Sequence, residues 1–132
     1  MPSSVPRRPG TLRIVVSDDD QDMLTRVVKT LRAAGHGVLA AYDGQSACEL
    51  AEYLPEIDLI ITNTRLTNCT SPELIRRVRK SNPWLAILHV GERLPAGDAL
   101  LANVPVLPEP FTDTQLLDAI GKALAAHPRG PS

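Results

Sequence analysis

Five short runs, apolar nearly throughout, constrain the fold of this chain more than any other feature. They are Leu12–Ser17, Val38–Ala41, Ile57–Thr62, Leu85–Val90 and Val104–Leu107. A strand with one wet face alternates apolar and polar side chains. These runs do not alternate, so they predict a sheet covered on both faces. The segments between them carry apolar residues at helical spacing. Leu24, Val27, Val28 and Leu31 form one such stripe, which Gly35 ends. Ala47, Leu50, Ala51 and Leu54 form the next, in a helix expected from about Asp43 to Leu54 with Pro55 beyond it. Ser71-Pro72-Glu73 reads as a helix start, with Ser71 as N-cap, Pro72 at the first position, and Leu74, Ile75 and Val78 buried. The last helix is expected to open at Thr112 or Asp113 and to bury Leu116, Leu117, Ile120 and Leu124. Strands and helices that alternate in this way predict a doubly wound α/β fold around a five-stranded parallel sheet.

In such folds the functional site lies at the carboxyl ends of the strands. Three of the runs end there in acids or an amide. The first leads into Asp18-Asp19-Asp20, the third ends at Asn63, and the fifth leads through Pro108 to Glu109-Pro110-Phe111. Two adjacent carboxylates at a strand end are costly unless a cation or hydrogen-bond donors compensate them, whereas Asp19 or Asp20 can also serve as the cap of the following helix.

This arrangement resembles the receiver domain of bacterial two-component response regulators over residues 11–126, with tails at 1–10 and 127–132 that are expected to be disordered. The resemblance implies a flavodoxin-like (CheY-like) three-layer sandwich. It also implies that Asp18 and Asp19 correspond to the acidic pair that holds Mg²⁺, a hard cation suited to oxygen ligands. Asn63 then falls at the phosphoacceptor position, where the family has an aspartate. A carboxamide is neutral and its nitrogen is not nucleophilic, so no acyl phosphate forms on it. Three more positions depart from the family. Gly91 replaces the Thr or Ser after the fourth strand, Glu109 the phosphoryl-pairing Lys, and Val106 the aromatic switch residue. The expectation is a degenerate receiver in phosphorelay signalling, with at most a weakly held Mg²⁺ and no enzymatic step of its own. The alternatives are an ion or small-molecule sensor that uses the acidic cleft, and a receiver phosphorylated at Asp58, Thr62 or Thr64.

Glu109 beside Asp18 and Asp19 would bring three carboxylates together. It is expected either to meet a divalent ion or to turn outward or pair with a base such as Arg65. Between Gly91 and Glu109 the chain has about one helical turn fewer than the family, and with Pro95 and Gly97 present only a short helix is expected near 97–102.

Composition narrows the partners. Of the 132 residues, 43% are hydrophobic, and a formal net charge of −1 without long charge runs leaves no nucleic-acid footprint. No apolar stretch reaches the ~20 residues of a membrane span, and no apolar segment follows the N-terminal arginines as a signal peptide requires. A cytoplasmic location is expected, with a histidine kinase, an output domain or another receiver as partner, and a monomeric or weakly dimeric state. Cys48 and Cys69 lack metal-ligand or redox spacing and read as reduced thiols, Cys69 in a loop near the site. His89 reads as a core histidine, and Trp84 as an exposed or half-buried packing residue.

Overall fold

A computed structural model describes residues 11–126 apart from Pro55 and Arg65. The two expected tails therefore lie outside the described residues. The strands are β1 (Arg13–Ser17), β2 (Gly37–Ala41), β3 (Leu59–Asn63), β4 (Ala86–Val90) and β5 (Val106–Leu107). The helices are α1 (Gln21–Ala33), α2 (Gly44–Tyr53), α3 (Ser71–Ser81) and α4 (Asp113–Ala126). All strand pairs are parallel, in the order β2-β1-β3-β4-β5. The expected doubly wound sheet is present.

Alternation along each central strand divides the core in two. Ile14, Val16, Leu59, Ile61, Leu88 and Val90 face the stripes of α1 and α4. Val15, Ile60 and Ile87 face Ala47, Cys48 and Ala51 of α2 and Leu74, Ile75 and Val78 of α3. Each Leu or Ile fully removed from water contributes about 1.5–3 kcal/mol, so β3 and β4, buried at every residue, anchor both layers. Polar groups at the ends of these two strands are thereby drawn inside.

Several local expectations need correction. The N-cap of α3 is Thr70, whose hydroxyl accepts from Glu73 N; Ser71 lies inside the helix, where its side chain turns to the core. α2 buries Cys48 as well as Ala47 and Ala51, while Leu50 and Leu54 are only partly covered. In α4, Leu117 is exposed and Leu124 only partly buried, and Ala119 and Ala123 fill the stripe instead. The face of α4 is narrower than leucine spacing suggested because it covers only the β4–β5 side of the sheet. The short helix expected at 97–102 is a single 3₁₀ turn, Ala99–Leu101, which Arg76 of α3 holds through an ion pair with Asp98 at 2.6 Å. β5 is two residues rather than four.

Caps and clasps complete the frame. Thr112 and Gln115 cap α4 reciprocally, Thr112 N donating to Gln115 Oε1 and Gln115 N to Thr112 Oγ1. Arg26 of α1 donates to the Phe111 carbonyl at 2.6 Å and lies 4.8 Å from the centre of its ring, which ties the entry of α4 to α1. Among the described residues no helix is long and apolar enough to cross a membrane.

The start of α2 packs directly on the loop between β3 and α3. A Cβ at Gly44 would lie 2.2 Å from the Cys69 carbonyl oxygen, a backbone atom with little room to give. Gly44→Ala should therefore cost about 1–3 kcal/mol in overpacking, read as a lower urea midpoint with unchanged slope. An unchanged midpoint would mean that α2 and this loop are not in close contact.

Candidate functional site

Where β1 ends, three aspartates divide their tasks. Asp18 is 3% exposed, and its Oδ1 accepts from Asp20 N at 2.8 Å. Asp19 is exposed and its Oδ1 accepts from Thr67 N at 3.1 Å, across the loop that leaves β3. Asp20 caps α1, accepting from the backbone of Asp22 and Met23 at 3.0 and 3.2 Å. Of the two caps considered from sequence, Asp20 is the one used. Asn63, at the carboxyl end of β3, is 2% exposed.

Asp18 and Asn63 line one small cavity of about 10 Å³ with Ser17, Met23 and Val90. Gly91 and Glu109 line a separate open cleft of about 280 Å³, with Thr64, Glu92 and Pro108. Val106 lines neither and is 37% exposed. Of the residues singled out in the sequence, Asp18 and Asn63 thus share one of these cavities and Gly91 and Glu109 the other, while Asp19 lines neither. Glu109 is half-buried in the open cleft, and the base proposed for it, Arg65, lies outside the described residues. Among the described residues no three His, Cys, Asp or Glu side chains are arranged to hold a metal ion. Asp18 and Asp19 remain the hard oxygen donors suited to Mg²⁺, beside a neutral amide.

The tightest feature of the site is one that sequence reasoning missed. Gly91 has φ +115°, and a Cβ there would stand 2.5 Å from the Thr64 hydroxyl. Thr64 fills the space that a side chain at 91 would need. Its N donates to the Val90 carbonyl at 3.1 Å, and its Oγ1 accepts from Glu92 N at 2.8 Å. A threonine just past β3 facing a glycine just past β4 was a legible sign of this exchange, since the two strands are paired.

Behind Thr64 runs a buried polar chain. Thr62 Oγ1 donates to Ser71 Oγ at 3.1 Å, and Ser71 Oγ meets His89 Nδ1 at 2.7 Å. His89 Nε2 lies 2.8 Å from the Glu92 carbonyl, which can only accept. The imidazole is therefore protonated at Nε2 and accepts from Ser71 at Nδ1. His89 is the core histidine expected, and burial pushes its pKa below the ordinary 6.5. The other residues considered as acceptors sit in three different settings. Thr62 is buried and partnered, and Thr64 is exposed at the open cleft with its Oγ1 accepting from Glu92 N. Asp58 precedes β3 at its opposite end, where its carboxylate accepts from Arg13 N at 2.9 Å.

The profile of the family described as Response regulator receiver domain matches residues 14–103. The chain belongs to this family. It is 32% identical over 123 residues to the response regulator receiver protein CpdR of Brucella abortus (strain 2308), covering 86% of this chain and 98% of the relative. Against the sensor kinase CckA of the same organism it is 27% identical over 122 residues, covering 87% of this chain. The chain spans 13% of that relative's length. Among solved structures, the chemotaxis response regulator CheY4 of Vibrio cholerae superposes with a TM-score of 0.76 at 26% identity, covering 86% of this chain and 99% of that one. The receiver fold places the carboxyl ends of β1, β3, β4 and β5 on one side, where both cavities open.

Two outcomes follow from this geometry. Gly91→Ala should destabilise the receiver by about 1–3 kcal/mol, through positive φ and contact with Thr64. In a double-mutant cycle with Thr64→Gly, a coupling of about 0.5–3 kcal/mol is expected, and strict additivity would exclude the contact. For His89, the folded pKa is depressed, so the unfolded chain binds the proton more readily. Its stabilising contribution is full above pH 6.5 and is lost as pH falls from there toward the folded value. Urea midpoints should drop between pH 7.5 and 5.5, and His89→Gln should flatten that part of the profile.

Proposed function

We propose that this receiver signals by contact and does not accept a phosphoryl group at residue 63. The observation that carries this reading is Asn63 itself, a carboxamide buried at the carboxyl end of the central strand and sharing a cavity with Asp18. Phosphorylation needs an oxygen nucleophile there, and the amide offers neither the charge nor a free lone pair on nitrogen. Gly91 has no hydroxyl to lend, and the Thr64 side chain crowds the space where one would stand. At position 109 a carboxylate would repel phosphoryl oxygens where the family's Lys attracts them. Val106 has no aromatic ring to rotate.

Mg²⁺, when bound in a receiver, neutralises phosphoryl oxygens. In this chain Asp18 and Asp19 would hold it, with one negative charge fewer than an aspartate at 63 would give. Both carboxylates already accept backbone N–H groups, which stabilises them without a cation. Weak, millimolar affinity is the expectation.

The partner on this reading is a histidine kinase, an output domain or another receiver, met in the cytoplasm. The relative described as a sensor kinase contains a matching segment as a small part of a longer chain, so this domain too would work either as part of such a protein or docked to one. What the partner reads is a single constitutive shape.

Intact-mass spectrometry after incubation with acetyl phosphate and Mg²⁺ tests the proposal. The expected result is no added mass, and a gain of about 80 Da, one phosphoryl group, would sink it. Asn63→Asp, run in parallel, should also label poorly because Gly91 and Glu109 stay unsuited. Rapid labelling of that variant would assign the loss to residue 63 alone.

A further inference from the structure

Cys48 and Cys69 are 21 residues apart in sequence, yet their sulfurs lie 3.9 Å apart. Cys48, on α2, is fully buried, whereas Cys69, in the loop between β3 and α3, keeps 8% exposure. Contacts that do not involve either sulfur set the spacing. Gly44 N donates to the Thr67 carbonyl at 3.1 Å, and Asn68 Nδ2 donates to Asp43 Oδ2 at 3.2 Å. The missing Cβ at Gly44 lets the Cys69 carbonyl approach. Closing the pair to a disulfide length of about 2.05 Å needs the two sulfurs to approach by about 1.9 Å.

We propose that Cys48 and Cys69 are a redox modification site, at which a hydroperoxide closes a reversible disulfide that fastens α2 to the β3–α3 loop. Cys69 is the point of entry, being the less deeply buried residue of the two. Its thiolate attacks the terminal oxygen of the hydroperoxide, the O–O bond breaks, and the alcohol leaves with the proton, giving a sulfenic acid. Cys48 then attacks that sulfur, the S–O bond breaks, and water leaves with the Cys48 proton. Two thiols lose two electrons and two protons, and the hydroperoxide is reduced to alcohol and water.

Burial governs the rate. It pushes the Cys48 thiol up to about 12 and raises Cys69 as well, so thiolate is scarce at neutral pH. The pair therefore responds to sustained oxidant rather than cycling quickly, and its oxidation accelerates as pH rises. The loop it fastens also carries Thr67, whose N–H holds Asp19, so oxidation fixes one wall of the acidic pair. None of this depends on whether residue 63 accepts a phosphoryl group.

The test exposes the reduced chain to hydrogen peroxide at pH 7 and pH 9, alkylates the remaining thiols, and maps unreduced tryptic peptides. The expected result is an intact mass lower by about 2 Da, loss of both alkylation sites, and a Cys48–Cys69 cross-linked peptide that reductant releases, formed faster at pH 9. Cys48→Ser should instead carry oxygen adducts of about 16 or 32 Da on Cys69. Wild-type thiols that stay alkylatable, such adducts without the cross-link, or disulfides found only between chains would each overturn the proposal. Because Cys48 is wholly enclosed, the wild-type peptide map is decisive without the variant.

Discussion

The end of the sheet around Asn63 depends on one buried chain of hydrogen bonds, from Thr62 through Ser71 and His89 to the Glu92 carbonyl. β3 and β4 are buried at every residue, so the polar groups they carry must find partners inside. The chain joins β3, α3, β4 and the loop after β4 in a single network, and Thr64 extends it to that loop's backbone. A network satisfied at each member fixes orientation more firmly than apolar packing does.

Sequence pattern revealed the layers because burial on two faces leaves an unbroken apolar run, and a helix on a sheet leaves a stripe. It was weaker wherever a polar residue had a choice of partner. Ser71 and Thr70 are both competent caps, and which one serves is decided by His89, whose ring draws Ser71 inward. Leucines at 117 and 124 looked like core by spacing, but α4 rests on only one margin of the sheet and alanines suffice there. Cys48 and Cys69 carried no spacing signal, since their contact depends on how closely α2 lies against a loop. Arg79 was equally illegible. It is buried on α3 with one nitrogen donating to the Leu85 carbonyl, and burial lowers its pKa.

At the site, the aspartates and Asn63 were legible as strand-end residues, because parallel α/β topology determines which end matters. What the sequence could not convey was that Asp18 and Asn63 share one cavity apart from the cleft of Gly91 and Glu109, or Thr64's place over Gly91. Both depend on the course of the loops after β3 and β4, and loops obey no period. The acidic triplet also reads differently in three dimensions. Asp18 is enclosed, Asp19 braces the neighbouring loop and Asp20 is a helix cap, so three identical residues in a row do three separate jobs.

The contact between Thr64 and Gly91 also makes the two positions one unit. While the threonine occupies that space, any side chain at position 91 meets strain, whatever advantage a hydroxyl there would bring. Relief comes if Thr64 turns aside, and in doing so it would surrender its hold on the Glu92 backbone. What position 91 tolerates is therefore set by what stands at 64, and the loops after β3 and β4 cannot be altered independently.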